Sequence, residues 1–146
     1  MIIAFCGHST YSVAECDEIK IMDILEAEIG DRPCEIFLGG YGNFDEFALQ
    51  CGKKFKQKNP SVKIVLITPY LDAKKTKSLE HSYDSIIYPE LENVPFKYAI
   101  SCRNKWMVEK ADILISFVSH QYGGAYTMYS YAKRKNKKIY NLPSIE

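Results

Sequence analysis

Ile2–Cys6, Glu35–Leu38, Val62–Thr68 and Asp112–Val118 are short apolar runs, and stretches with helical periodicity lie between them. Runs of this length suit strands covered on both faces, because no alternate position is reserved for water. Strands that alternate with helices are joined by crossovers, which place successive strands side by side in the same direction. The expected fold is therefore α/β, a Rossmann-like three-layer sandwich with a mainly parallel sheet. Phe44, Phe47, Ala48, Cys51 and Phe55 fall on one face of the clearest helix. Ile21, Met22, Leu25 and Ile29 mark an earlier one, residues 99–110 a third, and Ala125, Met128, Tyr129 and Ala132 the last. Ser12 with Glu15, and Asn43 with Glu46, stand at capping-box spacing for the first two. Residues 70–84 read as a lysine-rich loop with one helical turn, followed by a short strand at Ser85–Tyr88. Lys138–Leu142 closes the sheet. The 146 residues contain no linker, repeat or low-complexity tract, so one domain, 1–146, is expected.

No apolar run reaches the roughly 20 residues that span a bilayer, and no basic leader precedes the first run, MIIAFC. These features point away from membranes and to a cytoplasmic location. Five cysteines (Cys6, Cys16, Cys34, Cys51, Cys102) form no CxxC pair, so reduced core thiols are expected and no metal site. Charge is uneven: residues 1–50 carry ten acidic and two basic side chains, residues 51–146 eight acidic and seventeen basic. The lysines are spread over several segments, with no aromatic residues interleaved in a compact basic stripe. On that pattern the charges read as solvated faces, and nucleic acid is an unlikely partner.

In open parallel sheets ligands bind beyond the carboxyl ends of the strands. Three loops fall there: Gly7–Thr10, Gly39–Asn43 and Ser119–Gly124. The second, FLGGYGNFD, and the third, SHQYGGAYT, each put glycines ahead of a helix, whose free N–H groups and dipole favour an anion. This makes Gly7, Gly39, Gly40, Gly42, Gly123 and Gly124 candidate ligand contacts, with Ser119 and Thr127 as hydroxyl donors. Arg103 is expected to grip a phosphate with little consequence for folding. His8, His120 and Asp45 are the candidates for acid–base work. Trp106 is expected in the core.

The series CGH, FLGGYGNFD, RNKWMV, ADILISF and GGAYT resembles the SLOG superfamily over nearly the whole chain. It is most similar to small stand-alone members, with lonely-guy phosphoribohydrolases, the Rossmann-like part of the DNA-processing protein and nucleoside deoxyribosyltransferases as related branches. The resemblance implies a nucleotide-type pocket. Gly39, Gly40, Gly42 and Asp45 match the first glycine motif, and Arg103 with Met107 an arginine–methionine spacing. Gly123, Gly124 and Thr127 match the motif PGGxGTxxE. Its proline is Tyr122 here, its third glycine Tyr126, and its acid–base glutamate Ser130. Serine lacks the proton affinity that N-glycosidic cleavage needs.

The reading is therefore a binding or sensing module for a phosphate-bearing, nucleotide-derived small molecule, without a cofactor and leaning away from an enzyme. An N-glycoside hydrolase or transferase acting on nucleoside monophosphates is the first alternative, and a nucleic-acid-binding accessory protein the second. A homodimer is a further expectation, since relatives often pair through helices and eleven tyrosines offer interface material.

Overall fold

The computed structural model describes all residues, Met1–Glu146. Six strands form one parallel sheet: β1 (Ile2–Gly7), β2 (Cys34–Leu38), β3 (Val62–Ile67), β4 (Ser85–Ile87), β5 (Ile113–Phe117) and β6 (Lys138–Asn141). Their spatial order is β4-β3-β2-β1-β5-β6. The chain winds outward from β1 in one direction, then returns to place β5 on its other side, with Ile3 opposite both Ile36 and Ile113. The reversal between β1 and β5 opens a crevice at their carboxyl ends.

The helices are α1 (Glu15–Glu28), α2 (Asn43–Lys58), α3 (Ala73–Leu79), α4 (Ala99–Lys110) and α5 (Gly124–Arg134), with a short 3₁₀ turn at Phe96–Tyr98 before α4. The pleat sends Ile3 and Phe5 to one face of the sheet and Ala4 and Cys6 to the other. The first face packs on Ile21 and Leu25 of α1 and on Phe44, Phe47, Ala48, Cys51 and Phe55 of α2. The second packs on Met107 and Val108 of α4 and Met128 and Ala132 of α5. Two separate cores, one per face, produce the expected three-layer α/β sandwich.

Several local expectations are corrected. Neither capping box forms: α1 starts after Ala14 and α2 after Gly42, and neither cap residue supplies a side-chain bond. Asn43 instead donates from Nδ2 to the Tyr11 carbonyl, and Glu46 accepts from Gln50. Tertiary partners outcompete a local cap that contributes only about 1 kcal/mol. The lysine-rich stretch holds α3, capped by Asp72, whose carboxylate accepts from the Lys74 and Lys75 amides. Cys6, Cys34 and Cys51 are buried, but Cys16 is exposed and Cys102 half-buried. Trp106 lies at the core's edge, stacked on Phe37 with ring centroids 5.8 Å apart.

Candidate functional site

The crevice at the β1–β5 reversal is a cleft of about 490 Å³. It gathers Gly7 and His8 at the end of β1, Gly39 from the loop after β2, Asp45 from the first turn of α2, Arg103 from α4, His120 and Gly123 from the loop after β5, and Gly124 from the start of α5. Gly40 instead lines a neighbouring chamber, and Thr127 a groove between α4 and α5. Ser119 and Gly42 line none of these spaces. Thr127 Oγ1 bonds back to the Gly123 carbonyl, and the Ser119 amide donates to His8 Nε2 at 3.0 Å.

The glycines divide into two kinds. A Cβ on Gly7 would lie 2.7 Å from the Cβ of buried Phe44, and one on Gly42 2.7 Å from the Ser9 backbone. Gly39 is pressed against the Arg103 guanidinium and Gly40 against Leu66. Protein packing already accounts for these four. A Cβ on Gly123 or Gly124 would meet nothing within 4 Å. Gly123 has φ +91°, a conformation other residues rarely adopt, and caps α5 with no side-chain bond. The amides of Gly124, Ala125 and Tyr126 have no acceptor in the chain. The two helix starts, alike in sequence, therefore differ in availability. At α2 the first amide, that of Asn43, bonds the Ser9 carbonyl at 3.0 Å and Ser9 packs on Gly42, while the Phe44 and Asp45 amides have no acceptor in the chain. Ahead of the helix the Tyr41 amide bonds Asp45 Oδ2 at 3.1 Å. The start of α5 faces open space.

Arg103 is not the free anion grip expected from sequence. It is 3% exposed, and its Nη1 donates to the carbonyls of Gly39 at 2.9 Å and Ile67 at 2.7 Å, while Nε donates to Asn104. The side chain pins the ends of β2 and β3 to α4. Nη2 has no bond in the chain, yet no buried polar atom lacks a partner, so Nη2 is not fully enclosed, and Arg103 lines both the cleft and its neighbouring chamber. Asp45 sits on the cleft floor, where burial pushes its carboxyl up to about 6 against the opposing pull of the Tyr41 amide and the Arg103 charge.

Burial and the neighbouring His120 lower the pKa of His8. Because Nε2 accepts the Ser119 amide, its proton resides on Nδ1. His8 stacks on His120 at 3.7 Å, and His120 on Tyr122 at 3.8 Å, so three rings form a column whose outer member, Tyr122, is 71% exposed. Tyr41, on the opposite loop, is 65% exposed. Sequence reasoning missed both tyrosines. Their place in the glycine-rich loops that follow β2 and β5 was the available signal. Ser130 lies on α5 and does not line the cleft.

The α4–α5 groove, about 300 Å³, opens from the cleft, with Ile100, Asn104, Gly124 and Met128 common to both. It is lined by Lys97, Lys105, Arg134 and Tyr131. Lys105 and Arg134 each lie 5.7 Å from the Tyr131 ring centre, and Lys135 5.5 Å from it. Lysines scattered along the sequence thus converge around an aromatic ring, because α4 and α5 are neighbours on one face of the sheet.

No family model matches the sequence, and no curated protein matches it. Among solved structures, DNA processing protein A (DprA) from Streptococcus pneumoniae superposes with TM-score 0.67 at 13% identity, over 97% of this chain and 50% of that one. DNA processing protein A from Helicobacter pylori, which binds single-stranded DNA, superposes with TM-score 0.67 at 15% identity, over 99% of this chain and 66% of that one. The chain thus spans half to two-thirds of the length of these proteins. The expectation that nucleic acid is an unlikely partner is overturned: a protein with this fold binds single-stranded DNA, and the basic–aromatic interleaving absent from the sequence order is present in space. What the chain is similar to is the Rossmann-like α/β fold of the DNA processing proteins.

Proposed function

We propose that the chain binds single-stranded nucleic acid, with the strand running along the α4–α5 groove to the open start of α5. The observation that carries this reading is the continuity of that groove, with its cations around Tyr131, into the unoccupied amides of Gly124, Ala125 and Tyr126. Backbone phosphates are attracted by lysine and arginine, here those around Tyr131, and bases stack on exposed aromatic faces, here that of Tyr122. The likeness to the single-strand-binding protein from Helicobacter pylori supports the same reading, as does the resemblance to the SLOG superfamily and its DNA-processing branch. A cytoplasmic location suits such a partner.

Anisotropy of a labelled single strand tests the proposal. The wild-type chain is expected to bind it more tightly than a duplex of the same length. Lys105→Glu with Arg134→Glu should weaken binding roughly tenfold or more, the scale of a charge-assisted hydrogen bond. The slope of log K against log salt should fall by about 0.7 for each phosphate that is no longer neutralised. Undiminished binding in that variant, or equal affinity for duplex, removes the reading.

Asp45 adds a pH dependence. An anion in the cleft is repelled by its carboxylate but not by its protonated form. Binding is therefore strongest below about 6, where Asp45 holds its proton, and weakens as pH rises through that value. By linkage the folded chain, with Asp45 held above its ordinary 3.8, also loses stability as pH rises from about 3.8 to about 6. Asp45→Asn is expected to strengthen binding at neutral pH by up to about tenfold, roughly 1.4 kcal/mol, and to flatten the pH profile. An unchanged profile would show that the phosphate lies away from the cleft floor.

The expected small-molecule reading survives as a second use of the same cleft. The observation favouring it is a recess of about 490 Å³, within the range of small-ligand sites. Titration with nucleoside monophosphates separates the two.

A further inference from the structure

A second chamber, about 650 Å³, lies beside the cleft, beyond the carboxyl end of β3. Gly39, Tyr41, Ile100 and Arg103 line both spaces, so one wall divides them. The chamber is of a size that holds small ligands, and it differs from the cleft in chemistry. Its rim carries Tyr70 and Phe96, stacked with ring centroids 4.6 Å apart and planes 18° from parallel. Phe96 is 76% exposed despite that stacking, and Leu71 on the same loop as Tyr70 is 71% exposed. Contiguous large apolar side chains exposed around a hollow mark interaction sites and ligand-binding grooves. Lys74 and Lys75 also line it and form no ion pair in the chain.

We propose that this chamber is a nucleobase site, in which a planar base stacks against the Tyr70–Phe96 pair while its phosphate lies toward the dividing wall. Three features argue for a phosphate-bearing aromatic occupant over a purely apolar one. The aromatic pair presents a flat face that accepts any base by stacking. The unpaired Lys74 and Lys75 supply positive charge at the same opening. Arg103 stands in the shared wall, and its Nη2 has no bond in the chain. Gly40 makes the floor possible, since its backbone lies so close to Leu66 that a Cβ would come within 2.5 Å of Cδ1. The base belongs either to a nucleotide of a bound strand or to a free nucleotide. The inference rests on the single-strand reading for the first source and is independent of it for the second.

Calorimetric titration of the whole chain decides it with two pairs of ligands. One pair is adenosine monophosphate and ribose 5-phosphate, and the other is a single-stranded oligonucleotide and its counterpart with abasic sites. The expected result is a preference for the base-bearing member of at least one pair, by roughly tenfold or more, the scale of one stacked base. Phe96→Ala and Thr76→Trp, the second of which fills the chamber, should each erase that preference while leaving the baseless ligand's affinity unchanged. Phe96 is mostly exposed, so its truncation leaves the fold intact. Preference in the nucleotide pair alone assigns the site to a free nucleotide, and preference in the oligonucleotide pair alone assigns it to a strand. A preference that survives both variants overturns the proposal, as does equal binding within both pairs. Absence of all oligonucleotide binding overturns the single-strand reading and leaves the base site to be decided by the nucleotide pair.

Discussion

Arg103→Ala is expected to lower the unfolding free energy by about 3–5 kcal/mol, the range for stripping a buried charge network of one partner. The guanidinium satisfies the carbonyls of Gly39 and Ile67, which terminate two adjacent strands, and stands near the Asp45 carboxylate. Truncation strands both carbonyls and leaves a half-buried carboxylate without its nearest cation. In thermal unfolding the midpoint should fall by about 10 °C, taking roughly 2–4 °C for each kcal/mol in a chain of this size. In an Asp45→Asn background the loss should be smaller, since no carboxylate is then left unopposed. A change below about 1 kcal/mol would restore Arg103 to the purely ligand-gripping role that its place in the sequence suggests. The distinction matters for binding experiments, because weaker binding by Arg103→Ala is uninterpretable until the folded fraction is known.

The second large effect separates glycines that look alike in the sequence. Gly7→Ala should destabilise the fold by about 3 kcal/mol, the upper end for overpacking. Its new methyl would collide with Phe44, which is fully buried among Phe5, Tyr11 and Phe117 and has no free direction in which to move. Gly124→Ala, at the first residue of α5 with open space around it, should stabilise by about 0.4–1 kcal/mol by restricting the unfolded chain. The same substitution places a methyl beside the free amides of α5 and should weaken single-strand binding. Denaturant midpoints for the two variants, measured side by side, check the opposite signs. If both glycines tolerate alanine equally, packing does not explain Gly7.

The sequence by itself determined the layered α/β architecture. Apolar runs such as Ile64–Ile67 suit strands covered on both faces, and the Phe44–Phe55 periodicity a helix lying on a sheet. It also located the cleft, because the reversal rule points to the loops after β1, β2 and β5 whatever their side chains are. It could not tell an occupied helix start from an open one. Gly42 and Gly123 adopt nearly the same backbone conformation, φ +90° and +91°, yet Ser9 packs on the first and takes the Asn43 amide that follows it, while the second faces open space. Availability depends on what the rest of the chain places there, and no local pattern records that. The basic groove was hidden for the same reason. Lys105 of α4 and Arg134 and Lys135 at the end of α5 are far apart in sequence and meet around Tyr131 only when the two helices pack on the same face of the sheet. Charge density along a sequence measures segments, whereas the field that a strand of nucleic acid meets is summed over neighbours in space.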